Sequence, residues 1–283
     1  MQKNNARPRQ RSGGSFLLTA PYIIWMTVFI LIPLGVVVFY ALTDPVTGLF
    51  SLGNLSKIFT GAFPRIFLRS VWYSLVASLI CLVIGYPVAY FIARQRPGVQ
   101  RFLYLLVMLP MCMSFLLRTL AWQTLLEKNG VINGILSALH LPTQSLINTS
   151  GAIILGMVYN FLPFMILPIY NVLAKIDDNT INAAKDLGAN NFQTLIHIWI
   201  PLSIPGIISG ITMVFVPALT TFVISSLLGG SKILLIGNVI EQEFTKGSNW
   251  HLGSGLSLVL MIFILLSMAL IAKYDKEGEG NAF

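Results

Sequence analysis

The chain has 283 residues, of which 55% are hydrophobic and only 10% are charged, and its formal net charge is +8. This composition excludes a soluble globular domain and indicates an integral membrane protein surrounded by lipid. The excess of cations does not indicate a nucleic-acid partner, because the lysines and arginines are spread over the loops between apolar segments. Cys81 and Cys112 both fall within apolar runs, so neither a metal site nor a disulfide framework is predicted.

Six apolar segments are long enough to cross a bilayer, since a helix needs roughly 20 apolar residues to do so. They cover residues 17–42, 70–93, 102–126, 150–173, 202–228 and 252–272. The first is too long for the core of a cleaved signal peptide, so we expect it to be retained. The sequence therefore predicts an all-α fold with six transmembrane helices within 16–273, after a polar segment at 1–15 and before a tail at 274–283.

The distribution of lysine and arginine predicts the orientation of these spans. With the N terminus inside, eleven of these cations lie on the inner side of the membrane and six on the outer side. Inner loops carry the larger share in most membrane proteins. We therefore expect both termini, the short link at 94–101 and the loop at 174–201 to be cytoplasmic. The loops at 43–69, 127–149 and 229–251 then lie outside.

The outer loops carry four acids, for which a solvated surface is the default interpretation. Docking of a partner or attraction of a cationic substrate is the alternative. These acids are Asp44, Glu127, Glu241 and Glu243.

Arg118 is the single charged residue inside the predicted spans. It lies roughly 24 Å along the third predicted helix, so its head group could reach the outer interface. A snorkelling or structural arginine is therefore favoured over a role in a translocation pathway. Trp122, one turn further on, either belongs to an interfacial aromatic belt or stacks on the guanidinium group.

The long inner loop has the pattern of two short helices joined by a tight turn. Asp177 and Asp178 favour a helix N-terminus, and Gly188 permits a turn that a side chain would resist. Asn190 or Asn191 can cap a second helix at about 192–198, before the next apolar run begins near Pro201. An ordinary helical hairpin between two spans would use similar residues, so its role stays open at this point.

The sequence contains no arrangement typical of a catalytic site. There is no phosphate-binding loop that ends in Gly-Lys-Ser/Thr, so the chain is not expected to hydrolyse ATP. His140, His197 and His251 are isolated, and neither a catalytic Ser-His-Asp order nor a metalloprotease motif is present. A secondary transporter is less favoured, because such proteins rely on ionisable groups within the membrane or on repeated spans.

The hairpin resembles the cytoplasmic coupling loop of the membrane subunits of ABC importers. Their pattern is Glu-Ala-Ala, three residues, Gly, nine residues, then Ile, any residue, Leu and Pro. The matching residues here are Ala183, Ala184, Gly188, Ile198 and Pro201. Asn182 stands in place of the Glu, and Ile200 in place of the Leu. The resemblance implies a type I ABC importer permease fold and assigns ATPase coupling to Asn182, Ala183, Ala184, Asp186, Leu187, Gly188, Ile200 and Pro201.

Several further segments are similar to the permeases of the spermidine/putrescine importers, in particular to the first of their two dissimilar permease subunits. These segments are 85–90, 116–119, 162–165, 186–189 and 228–240. The resemblance implies a polyamine substrate, and permeases for iron, thiamine, sulfate or molybdate are the alternatives. Trp122, Tyr159 and Tyr170 are candidates to line the pathway, because aromatic faces attract ammonium groups. Arg118 is a fourth candidate, as the less favoured alternative to its structural role.

The same resemblance implies the partners and the location. A second permease subunit, two ATP-binding subunits and an extracytoplasmic substrate-binding protein are expected to complete the transporter. No cofactor is expected on this chain, and ATP with magnesium is expected on the partner ATPase subunits. The chain is expected to be a multi-pass protein in the cell membrane of a prokaryote, with both termini in the cytoplasm.

Overall fold

A computed structural model describes residues 13–247 and 249–280 of the chain. Most of the predicted segment at 1–15 and the end of the predicted tail at 274–283 therefore lie outside the described residues. Within them the chain is helical, apart from loops and one isolated antiparallel bridge between Thr43 and Phe50.

The helices, in chain order, are α1 (Gly13–Met26), α2 (Ile32–Ala41), α3 (Gly53–Ser56), α4 (Phe63–Ala93), α5 (Pro97–Met108), α6 (Phe115–Leu126), α7 (Val131–Ala138), α8 (Ser150–Leu173), α9 (Asp178–Asp186), α10 (Asn191–Thr194), α11 (Ile200–Thr220), α12 (Val223–Leu228), α13 (Ile236–Thr245) and α14 (Trp250–Gly280). Two π-helical turns, Thr27–Leu31 and Leu195–Trp199, join α1 to α2 and α10 to α11. Short 3₁₀ turns cover Lys57–Phe59, Leu109–Cys112 and Gly230–Lys232.

Among the described residues, five helical stretches are long and apolar enough to span a membrane. They are Thr19–Ala41, Phe63–Ala93, Ser150–Leu173, Asn191–Thr220 and Trp250–Ile271. A sixth crossing is formed by the pair Pro97–Cys112 and Phe115–Ala138 when this pair, bent by 86°, is counted as one span. The predicted all-α membrane fold is confirmed.

The centre of the bundle is formed by α4, α8 and α11, which pack against one another. Its buried side chains include Ala77, Cys81, Met157, Met165, Ile169 and Val214. Two glycines four residues apart bring α11 close to α8: a Cβ on Gly206 would lie 2.9 Å from the Pro168 carbonyl oxygen, and one on Gly210 would lie 2.7 Å from Met165 Sδ. Small residues at this spacing are typical of close helix contacts in membranes.

The third predicted span is not one helix, and the prediction of a continuous helix at 102–126 is wrong. The helix tightens into a 3₁₀ turn around Pro110, and Met113 and Ser114 are extended before α6 begins. Proline removes a backbone donor and clashes with the preceding turn, so an α-helix does not continue easily through it. The chain therefore turns by 86° at this point.

The fifth predicted span differs at both ends from the observed helix. Its N-terminal end is continuous with the second arm of the hairpin, because the π-helical turn at Leu195–Trp199 leads directly into α11. In this turn the Ile200 amide donates to the Leu195 carbonyl, and the next residue, Pro201, has no amide hydrogen to donate. Its C-terminal end lies at Thr220, because Thr221 is extended and α12 starts as a separate helix. The predictions of a separate helix at 192–198 and a span at 202–228 are therefore wrong in their bounds.

Candidate functional site

The first arm of the hairpin is α9, which begins at Asp177. The Asp177 carboxylate accepts a hydrogen bond of 3.0 Å from the amide of Asn179 and so caps the helix. Asp178 follows in the first turn and Lys185 lies in the last turn, so both charges complement the helix dipole. The sequence signals for this helix thus agree with its observed start.

Gly188 forms the turn between the two arms, with a φ of +85°. Its amide donates to the Lys185 carbonyl at 2.9 Å, and the next amide, of Ala189, donates to Ala184 at 3.0 Å. Together these bonds terminate α9, and glycine adopts such a φ without steric cost.

Asn190 then caps the second arm in a reciprocal capping box with Gln193, with bonds of 2.8 and 2.9 Å. Of the two predicted caps, Asn190 is the one observed.

The end of the hairpin presents large apolar side chains on an exposed surface. Leu187 is 90% exposed and Phe192 is 69% exposed. Asn182, Ala183, Asp186 and Gly188 are also exposed, and Ala184 is half-buried. The opposite face holds the hairpin to the bundle through buried Ile181, Thr194 and Trp199. Such an apolar surface on a polar segment is typical of a docking site.

Ile200 and Pro201 are not part of this exposed end. They lie on the continuous helix roughly 13 Å along the axis from Asn191, since each residue rises about 1.5 Å. The structure therefore divides the predicted coupling residues into an end, at 182–188, and a shaft, at 200–201, which connects the end to the fifth span.

The shaft is attached to the C-terminal end of α4 by an aromatic cluster. The Tyr90 and Trp199 rings meet edge to face with centroids 5.1 Å apart, and the Arg94 guanidinium lies within 6 Å of both. Ser203 donates a hydrogen bond of 3.2 Å to the Tyr86 hydroxyl one turn further into the bundle. These contacts connect the hairpin to the central helices.

Two cavities flank the hairpin. A polar cavity of about 430 Å³ lies between α9 and the link after α4, where its lining includes Arg94, Asp178, Asn182 and Lys185. A second groove of about 410 Å³ runs between the two arms, lined by Ala184, Leu187, Gly188, Ala189, Gln193, Thr194, His197 and Ile198. The hairpin therefore offers a concave surface as well as its exposed apolar end.

Arg118 lies on α6 and is only 7% exposed, in place of the interfacial position expected for a snorkelling side chain. Its Nε and Nη1 atoms have no hydrogen-bond partner among the described residues. Trp122 packs edge to face on Tyr159, with centroids 5.3 Å apart, whereas the cation–ring contacts in the described part of the chain belong to Arg94. Stacking of Trp122 on Arg118 is therefore not observed.

The other pathway candidates form two separate aromatic pairs. Tyr170 meets Tyr104 of α5 at 5.2 Å, whereas Tyr159 meets Trp122 of α6. Tyr159 and Tyr170 are roughly 16 Å apart along α8 at about 1.5 Å per residue. The structure does not bring the four predicted pathway residues together, and their role in a pathway stays a prediction.

The sequence analysis missed a polar network within the segment 222–240. The Asn238 side chain accepts hydrogen bonds from the Ser225 hydroxyl and from the Leu235 amide, and it donates to the Phe222 carbonyl at 3.0 Å and to Ser226 at 2.7 Å. Asn238 is buried, so these bonds fix the start of α13 against α12. The signal in the sequence is an asparagine inside an apolar run.

A protein-family model and a known protein both match most of this chain. Residues 82–275 match the family model described as "Binding-protein-dependent transport system inner membrane component". The spermidine/putrescine transport system permease protein PotB of Haemophilus influenzae is 38% identical over 263 residues, which cover 89% of this chain and 91% of that protein.

Two solved structures share the fold. A bacterial ABC transporter involved in the import of the acidic polysaccharide alginate has a TM-score of 0.79 at 18% identity, covering 95% of this chain and 97% of that chain. A bacterial alginate ABC transporter in complex with a periplasmic protein bound to an alginate pentasaccharide has a TM-score of 0.64 at 16% identity, covering 91% and 92%. From the helical bundle, the hairpin and these matches, we conclude that the chain belongs to the binding-protein-dependent transport system inner membrane components and is a permease subunit of an ABC importer.

Proposed function

We propose that this chain is one of the permease subunits of an ATP-driven importer of polyamines such as spermidine and putrescine. The observation that carries the substrate assignment is the 38% identity, over most of both chains, to a permease named for spermidine/putrescine transport. The segment 228–240, singled out for its similarity to such permeases, contains the Asn238 network and so has a defined structural role. Permeases for iron, thiamine, sulfate or molybdate remain alternatives, and nothing in the described structure favours them.

The hairpin is the proposed coupling element to a cytoplasmic ATPase. Leu187 and Phe192 are exposed apolar side chains that a partner surface can bury, and Gly188 fixes the angle between the arms. Closure of two ATP-binding subunits, which hold ATP and magnesium, then moves the hairpin as a rigid lever. Because the shaft is part of the fifth span, this movement acts directly on the central helices.

A second permease subunit and an extracytoplasmic substrate-binding protein complete the proposed transporter. The alginate complex, in which a periplasmic protein is bound to a transporter of this fold, supports the latter partner. The excess of lysine and arginine in the loops assigned to the inner side supports cytoplasmic N and C termini in a prokaryotic cell membrane.

The test is ATP-dependent uptake by the complex reconstituted in proteoliposomes with its binding protein. We expect uptake of labelled spermidine and putrescine, with each polyamine competing against the other. If uptake is blocked by ferric iron, thiamine, sulfate or molybdate and is indifferent to excess polyamine, the substrate assignment is overturned. If the chain does not co-purify with an ATPase, the coupling assignment is overturned.

A further inference from the structure

A cavity of about 530 Å³ lies where the outer end of α11 meets α13 and α14. Its walls include Thr220, Phe222, Glu241, Phe244, Ser257 and Leu260. Most of the residues in the full lining have apolar side chains, and Glu241 is the single charged residue among them. A carboxylate among apolar side chains attracts a partner of opposite charge, because the apolar walls reduce its contact with water.

Glu241 is half-buried, whereas the sequence suggested a solvated side chain. Among the described residues, its carboxylate accepts one hydrogen bond, of 3.0 Å, from Thr245 on the same helix. The nearest cation in the sequence, Lys246, lines a different cavity together with Gln242 and Asn238. The described chain thus provides no counter-charge for this carboxylate.

The end of α11 adds a second attraction for a cation. The helix stops at Thr220, one of the residues that line the cavity, and the chain is extended at Thr221. The last carbonyl groups of a helix carry partial negative charge because they lack partners within the helix. Gly237 packs so closely here that a Cβ would lie 2.5 Å from the Thr220 carbonyl oxygen and 3.0 Å from that of Thr221. The glycine therefore allows the start of α13 to pack directly against the end of α11.

Two aromatic rings complete the environment. Phe222 follows directly after the break in α11, and Phe244 lies one turn after Glu241 on α13. Both rings line the same cavity. An aromatic face attracts an ammonium group most strongly where water is displaced.

We propose that this cavity binds one ammonium group of the transported polyamine, with the Glu241 carboxylate as its counter-charge. The carbonyl end of α11 and the rings of Phe222 and Phe244 complete the site. The identity of the ligand rests on the proposed function, whereas the cation site rests on the cavity and its charge.

The test compares Glu241→Gln with Glu243→Gln in the reconstituted complex. Both variants remove one acid from α13, but Glu243 does not line the cavity. We expect Glu241→Gln to raise the KM for spermidine uptake about tenfold, as a loss of about 1.4 kcal/mol in binding predicts. We expect Glu243→Gln to change the KM for spermidine uptake less than about twofold. Glu241→Asp, which keeps the charge, should have a KM for spermidine uptake close to that of the unmodified complex. Equal KM values for the two glutamine variants would overturn the site.

A thiol assay separates this site from the proposed function. A cysteine replaces Ser257 in the cavity wall, exposed Cys112 is replaced by serine, and buried Cys81 is left in place. We expect spermidine and putrescine to slow the modification of this cysteine by a cationic thiol reagent in the assembled complex. Absence of protection overturns the site, whatever the glutamine variants show. Absence of polyamine uptake by the unmodified complex overturns the proposed function, and protection then still identifies a cation site.

Discussion

The guanidinium carbon of Arg94 lies 5.8 Å from the centre of the Trp199 ring and 5.9 Å from that of Tyr90. Arg94 ends α4, whereas Trp199 belongs to the helix that carries the coupling hairpin. Arg94 therefore contacts an aromatic pair that joins the helix of the hairpin to a central helix of the bundle.

Replacing Arg94 with glutamine should weaken this connection. A cation–π contact contributes roughly 0.5–2 kcal/mol, so we expect spermidine-stimulated ATP hydrolysis to fall several-fold while the complex still assembles. Arg96→Gln is the matched control, since Arg96 is exposed and makes no ring contact in the described part of the chain. Equal ATPase rates for the two variants would show that the contact does not transmit movement.

Asn182→Glu restores the residue type of the related coupling loops. Asn182 lines the same polar cavity as Arg94 and Lys185, so a carboxylate there can pair with a cation. An exposed ion pair is worth at most about 1 kcal/mol, and we therefore expect coupling to be unchanged or slightly improved. The measurement is solute imported per ATP hydrolysed. Any gain in solute imported per ATP should disappear in the double variant that also carries Arg94→Gln. A clear loss of this ratio in Asn182→Glu alone would contradict the prediction.

Gly188→Leu should reduce uptake and substrate-stimulated ATP hydrolysis without lowering the amount of protein in the membrane. The φ of +85° at this position costs a side chain about 1–2 kcal/mol, so the turn is expected to shift. Gly98→Leu is the control, because Gly98 has open space around it and no positive φ. Normal uptake by Gly188→Leu would refute the proposed role of the turn.

The two glycines of the α8–α11 contact should differ in their tolerance of alanine. A Cβ on Gly206 meets the Pro168 carbonyl oxygen at 2.9 Å and the Ile169 Cα at 3.1 Å, both of which are backbone atoms. A Cβ on Gly210 first meets the flexible end of Met165. Overpacking costs about 1–3 kcal/mol, so we expect Gly206→Ala to lower the melting temperature in detergent more than Gly210→Ala does. The reverse order would contradict the observed packing.

Accessibility of single cysteines tests the orientation. With Cys112 replaced by serine and buried Cys81 retained, a cysteine at Asn129 should react with a membrane-impermeant reagent in intact cells. A cysteine at Asn190 should react only after the cells are opened. Both positions are exposed, so a difference reports the side of the membrane. Labelling of position 190 from outside would overturn the coupling assignment.

Much of the coupling site follows from local sequence signals. The cap at Asp177, the turn at Gly188 and the cap at Asn190 depend on neighbouring residues, so their pattern predicts them. The predicted bounds of the third and fifth spans are wrong, because the hydropathy of a segment does not show where prolines and extended residues interrupt a helix. The bend of 86° after Pro110 is one result.

The sequence by itself determined the membrane class and the position of the hairpin, because apolar length and residue spacing are properties of the chain. Only the tertiary structure decided the surroundings of Arg118 and Glu241. Arg118 is buried against other helices, and Glu241 is half-buried in the wall of a cavity although its loop suggested a solvated side chain. The physical reason is that burial depends on which helices, distant in the sequence, pack together, and local patterns do not specify this packing. The cavity beside Glu241, for example, is lined by residues of α11 and α14.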